Sequence, residues 1–182
     1  MFAPLPCYRA VTPRGPPRVN SSLFDGGHMP EHLEATIDKF TFKVARDRFY
    51  TRDGVWLLPS ISPAGVTVRM GLTDYLQQHS GDAAFVNVKQ TGTALKAGDE
   101  FAEIETVKVN VGLPSPIAGS IIETNKGLEL NPEFVNQDPY GKGWLVAIKA
   151  ADWEGASAAL LDANAYFQFM RTQIDQELKG TP

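Results

Sequence analysis

Few side chains in this 182-residue chain are placed to do chemistry, and the most telling of them sits in Glu105-Thr106-Val107-Lys108-Val109. Lysine carries a compact ammonium on a flexible stem and is a common target of covalent modification. Apolar side chains fall on even positions at Ala102 and Ile104, but on odd positions at Val107, Val109, Val111 and Leu113. A strand keeps its faces, so the phase must break between these two sets. The break predicts a turn or bulge near Glu105 to Val107, with Lys108 at or beside the tip of a hairpin. Periodicity cannot name a cofactor, and taken alone such a lysine reads as a solvated charge.

The other reactive residue types converge on nothing. His28 and His32 are four apart, but Pro30 between them argues against a shared helix face, and His79 stands apart, so a metal reading finds no support. Cys7 is the only cysteine, which excludes an internal disulfide, a cysteine metal site and a redox pair. No nucleophile constellation and no phosphate-cradling glycine motif occurs. If the chain has reactive chemistry, it is added after translation.

Composition bounds what must position Lys108. A chain 43% hydrophobic and 21% charged can bury one good core and has no room for two large domains. A net charge of −4 and a pI near 5.4 argue against a nucleic-acid footprint. No apolar run approaches the roughly 20 residues that span a bilayer, and a soluble protein in a reducing, cytoplasmic setting is expected.

Residues 1–28 hold Pro4, Pro6, Pro13, Pro16 and Pro17 with three arginines and no acid before Asp25. That composition defeats regular structure and predicts disorder; the prolines also spoil the amphipathic helix of a transit peptide. Gly26-Gly27 just upstream of Met29 suggests a ribosome-binding site in the coding sequence, which would make Met29 the true start. Residues 29–48 read as an N-terminal extension, 49–150 as the central domain and 151–182 as a C-terminal helical segment.

Within that division, Leu33, Ala35 and Ile37 among charged residues predict a short helix over 31–38, and Phe40 to Val44 alternates as a strand. Trp56-Leu57-Leu58 and Gly65 to Gly71 read as strands bounded by prolines and glycine. Thr73 caps a short helix that ends before Ser80-Gly81. Ala83 to Val88, the run from Ile121 and Trp144 to Ile148 are further strands, with turn chemistry at Gln90 to Gly92, Lys96 to Asp99 and Pro114 to Gly119. Ser62-Pro-Ala-Gly65 echoes Ser115-Pro-Ile-Ala-Gly119, a hint of a duplicated hairpin unit. After an Asp162 or Asn164 cap, Tyr166, Phe167, Met170, Ile174 and Leu178 form a helical packing stripe.

A family resemblance is carried by an ordered set of motifs from about Phe49 onward. They are Gly71-Leu-Thr-Asp-Tyr75, Ser80-Gly-Asp82, Gly92-Thr, Lys96-Ala-Gly-Asp-Glu100, Glu105-Thr-Val-Lys108, Ser115-Pro-Ile-Ala-Gly119, Asn131-Pro-Glu133 and Asn136 to Trp144. Any one is weak and the ordered set is specific: the chain resembles the glycine cleavage system H protein family. The resemblance implies a mostly β lipoyl-domain fold, a barrel-sandwich hybrid of two sheets with short helices and a C-terminal helix. It implies a swinging-arm carrier rather than an enzyme, with lipoate joined by an amide to Lys108 and with Glu105 helping the ligase recognise the hairpin. Lipoate ligase or lipoyl-assembly enzymes and dihydrolipoamide dehydrogenase are the implied partners.

The departures bear on cargo. The family has a His-Glu-Trp segment whose acid, with another acid shortly after the lipoyl lysine, helps hold the amine of the aminomethyl group. Here Trp56 matches, but Gly54 and Val55 replace the His and the acid, and Gly112 stands four after Lys108. Losing both carboxylates would forfeit charge-assisted hydrogen bonds worth roughly 1.5–3 kcal/mol each; Asp53 is a partial substitute. The leading expectation is therefore a carrier of sulfur species or electrons, similar to the lipoate-binding proteins that serve a heterodisulfide-reductase-like complex in sulfur oxidation. Two alternatives stand beside it: a glycine cleavage H protein working with glycine decarboxylase and aminomethyltransferase, and an unmodified interaction module.

Overall fold

The computed structural model describes residues 31–180; the expectations for residues 1–28 and for Met29 as the start lie outside them. The chain opens with two strands, β1 (His32–Ile37) and β2 (Phe40–Ala45), paired as an antiparallel hairpin. The short helix expected over 31–38 is not formed. Leu33, Ala35 and Ile37 recur at a spacing of two, the strand period, and they lie opposite Val44, Phe42 and Phe40. Pairing with the alternating partner overrides the local charge pattern.

The remaining strands are β3 (Phe49–Tyr50), β4 (Val55–Ser62), β5 (Gly65–Leu72), β6 (Ala83–Val88), β7 (Ala94–Leu95), β8 (Glu100–Thr106), β9 (Asn110–Pro114), β10 (Gly119–Thr124) and β11 (Trp144–Ala150). They form a six-stranded sheet in the order β3-β4-β5-β11-β10-β7 and a three-stranded sheet in the order β6-β8-β9. The two echoing Ser-Pro segments play different parts: the first turns the hairpin between β4 and β5, and the second crosses from the small sheet to the large one.

Strand β4 explains the two-sided architecture. Val55 to Pro59 are all buried, so this strand has no solvent face over that stretch. Val55 and Leu57 join a cluster with Val68, Met70, Phe101, Ile104, Leu113 and Ile148, drawn from both sheets. Trp56 and Leu58, on the opposite face, join Phe42, Val44, Tyr50, Tyr166 and Met170, drawn from β2, β3 and the last helix. Gly71, opposite Trp56 across the pair, leaves room for the indole; a Cβ there would collide with the ring.

The helices are α1 (Asp74–Ser80), α2 (Phe134–Gln137), α3 (Trp153–Ser157) and α4 (Ala163–Gly180), with a 3-10 turn at Lys126–Glu129. Thr73 caps α1 by accepting from the Leu76 amide. Asp162 caps α4, accepting from the Ala165 amide at 2.7 Å. The expected stripe on α4 is buried at Tyr166, Met170 and Ile174, but Leu178, 56% exposed, lies past the end of the covered face. Tyr166 stacks on Tyr50 at 4.5 Å between ring centroids and donates its hydroxyl to Thr73 Oγ1 at 3.0 Å. Among the described residues, no helix is long and apolar enough to cross a membrane.

Helix α4 also reaches α1. Glu177 accepts from the Tyr75 hydroxyl at 2.9 Å, and its other oxygen lies 2.8 Å from His79 Nε2. Burial raises the Glu177 carboxyl, but the hydrogen bonds from His79 and Tyr75 outweigh it and hold the group below its usual 4.5. A depressed carboxyl contributes stability above its unfolded value, and that contribution is lost as pH falls through the lower folded value. Glu177→Gln is therefore expected to flatten the fall of melting temperature as the pH drops below the ordinary carboxyl value of 4.5. The difference should be small because both side chains are substantially exposed. Parallel acid slopes for variant and wild type in calorimetry would refute the link.

Candidate functional site

The phase break falls where the sequence places it. Strands β8 and β9 form a hairpin in which Glu105 lies opposite Asn110, and residues 107–109 make the tip. Phe101, Ala102, Ile104 and Leu113 are buried, whereas Val107 is 91% and Val109 50% exposed. The apolar alternation thus continues in the sequence after the strand has left the core.

Lys108 lies exposed at that tip and, among the described residues, makes no ion pair. Its aliphatic stem runs across the turn between α1 and β6: a Cβ on Gly81 would lie 3.6 Å from Lys108 Cδ and 3.7 Å from Cε. The amine is thus presented to solvent on a fixed platform. These residues fit a long group joined through an amide, since acylation here removes a charge that no neighbour uses and buries nothing. Glu105 sits three residues back on the outer face of β8, where Asn87 of β6 donates to its carboxylate at 3.2 Å.

A backbone hydrogen bond from the Thr106 amide to Val109 O at 3.0 Å closes the tip, and one side chain reinforces it. Thr106 Oγ1 accepts from the amides of Lys108 at 3.2 Å and Val109 at 3.0 Å. Its hydroxyl faces two carbonyls, Val109 and Ser80, each at 2.8 Å. The second contact ties the hairpin to the end of α1. Asn136 of α2 braces that end in turn, accepting from the Ala83 amide at 2.9 Å and donating to Gly81 O at 3.1 Å and Gln77 Oε1 at 3.0 Å.

The positions expected to lack acids look different in three dimensions. Val55 is fully buried and belongs to the core between the sheets. Gly54 is buried with φ +84°, and a Cβ there would meet Leu76, so a larger residue would force a shift. Asp53 is exposed in the turn before β4. At Gly112 a Cβ would meet the carboxylate of Glu100, the end of an exposed side chain that reaches over from β8.

Thr106, Glu100 and Asn136 are the residues that reading the sequence missed. Asn136 lies in a quoted motif, yet nothing in that motif says its amide faces the end of α1. Glu100 becomes relevant only through the register that places β8 beside Gly112.

Comparison with known proteins gives a consistent result. Residues 50–173 match the family model described as Glycine cleavage H-protein. A glycine cleavage system H protein of Thermus thermophilus is 40% identical over 130 residues, covering 71% of this chain and 98% of the relative. That of Bacteroides thetaiotaomicron is 48% identical over 119 residues, covering 64% and 89%. The crystal structure of a glycine cleavage system H protein from Mycobacterium marinum superposes with a TM-score of 0.59 at 30% identity, covering 68% of this chain and 95% of the other.

Proposed function

Because the chain belongs to the glycine cleavage H-protein family, we propose that Lys108 anchors its lipoyl arm and that the arm's cargo is the aminomethyl group of glycine. The family's members are carriers rather than catalytic enzymes and hold lipoate covalently on a lysine. When bound, that group supplies a dithiolane that opens to a dithiol and takes cargo on sulfur. The observation that carries the reading is the exposed Lys108, without an ion pair among the described residues, at the tip of a hairpin where its stem lies over Gly81.

The chain's own residues have three tasks in this reading. The rigid hairpin projects the lysine so that a tethered group searches partner sites at high effective concentration. Glu105, fixed by Asn87, is a recognition feature for the ligase. Glu100 supplies, from the adjacent strand, a carboxylate at the place where Gly112 has none, and a carboxylate there attracts a cationic amine. Lipoate ligase, glycine decarboxylase and aminomethyltransferase are the fitting partners.

The sulfur-carrying reading, with its heterodisulfide-reductase-like partner, rests on Val55 and Gly112 alone. Glu100 weakens that argument, and the relatives described above are all named for glycine cleavage. Incubation of the lipoylated protein with glycine and glycine decarboxylase decides between the cargoes: ready reductive aminomethylation, seen by intact mass, is expected. Failure to load, with an authentic H protein loading in parallel, would return the sulfur reading to the front. Glu100→Gln should lower the retention of the loaded amine by about tenfold, the size of one charge-assisted hydrogen bond, while leaving lipoylation intact. Unchanged retention would remove Glu100 from the site.

A further inference from the structure

Building on the reading of Lys108 as the lipoyl anchor, we propose that Thr106 and Asn136 are positioning residues. Together they hold the anchor hairpin against the end of α1, so that Lys108 meets the lipoylating enzyme in one conformation.

The tip needs such a device because packing does not supply one. Val107 is 91% and Val109 50% exposed, so little buried apolar contact orders residues 107–109. Their amides at Lys108 and Val109 find their acceptor in Thr106 Oγ1. The same hydroxyl, by donating to Ser80 O, converts a local turn into a joint between the small sheet and α1. A valine at this position would keep the shape and lose every one of these bonds.

The joint is only as stiff as the turn it grips, and that turn is braced by Asn136. Its orientation is dictated by its partners. Ala83 N–H requires an oxygen, whereas Gly81 O and Gln77 Oε1 both require an N–H. Gln77 has no freedom to adapt, because its own amide nitrogen donates to Asp74 Oδ1 at 2.7 Å. Asp74 is in turn fixed by the Lys43 amide of β2 at 2.8 Å, and both Asp74 and Gln77 are 7% exposed. A continuous polar chain therefore runs from the buried base of α1 through Gln77, Asn136, the Gly81 turn and Thr106 to the backbone of Lys108. Asparagine is required at its centre: an aspartate would set a carboxylate oxygen against two carbonyl oxygens.

The test uses the full-length apo-protein, a lipoate–protein ligase, lipoate and ATP. Thr106→Val and Asn136→Asp are each expected to lower kcat/KM for lipoylation about tenfold, with the loss in KM, because a fractionally populated competent conformer weakens apparent affinity in proportion. Thr106→Ser, which restores the hydroxyl, should recover wild-type kcat/KM within about twofold. Hydrogen exchange at the Lys108 and Val109 amides should accelerate in Thr106→Val and not in Thr106→Ser. That readout requires no lipoate, so it separates the two ideas. Protected amides with wild-type kinetics in Thr106→Val would overturn the positioning role, as would an equal loss in Thr106→Ser. Wild-type protein that is never lipoylated on Lys108 would overturn the reading on which it rests.

Discussion

Lys108→Ala is expected to abolish the lipoyl adduct and, with it, all carrier activity, while the fold survives. The side chain is exposed, makes no ion pair among the described residues and packs only its stem over Gly81, so the change in stability should stay within about 0.5 kcal/mol. Lys108→Arg sharpens the experiment. It preserves the charge and the reach but offers a guanidinium, always protonated, in place of an amine that can be acylated. Loss of the adduct in both variants, with thermal melts near wild type, ties the activity to acylation rather than to charge. An adduct that persists in Lys108→Ala would place the anchor elsewhere in the chain.

Trp56→Ala is expected to have the largest effect on stability. The indole is 1% exposed, donates to Pro139 O at 2.9 Å and lies beneath the Arg48 guanidinium at 4.5 Å from the ring. Removing it empties the cluster that joins β2, β4 and α4 and takes the indole donor from the Pro139 carbonyl, while Arg48 keeps Asp47 and the Tyr140 carbonyl. Large-to-small changes of this kind cost about 3–5 kcal/mol, against a total of about 5–15 kcal/mol for a domain. A drop in melting temperature of about 10 °C follows at this chain length. Trp56→Phe should lose less, since a ring remains to fill most of the space. A shift for Trp56→Ala of only a degree or two would mean that the α4 side of the sheet contributes little to holding the domain.

Much of the molecule follows from short-range rules that act within a few residues. Alternation located β2, and apolar runs bounded by proline, glycine and turn residues located β4, β5, β6 and β11. The Thr73 cap marked where α1 begins, an Asp162 or Asn164 cap bracketed the start of α4, and the phase break between Ile104 and Val107 located the hairpin tip. The same rules failed for residues 31–38, because three apolar residues among charges are too few to separate a helix from a strand until Phe42 and Val44 of β2 supply a pairing partner.

The sequence by itself determined that this chain is a mostly β carrier domain with an exposed lysine at a turn, since strand period, turn chemistry and the ordered motif set are all properties of the linear chain. Only the tertiary structure decided how that lysine is held and what surrounds it. Thr106 reaches Ser80 across 26 residues and Asn136 reaches Gly81 across 55. The Glu100 carboxylate lies where a Cβ on Gly112 would stand, although the register pairs Glu100 with Pro114 and Gly112 with Glu103. Such contacts depend on how separate elements pack, and no local pattern encodes the distance between them.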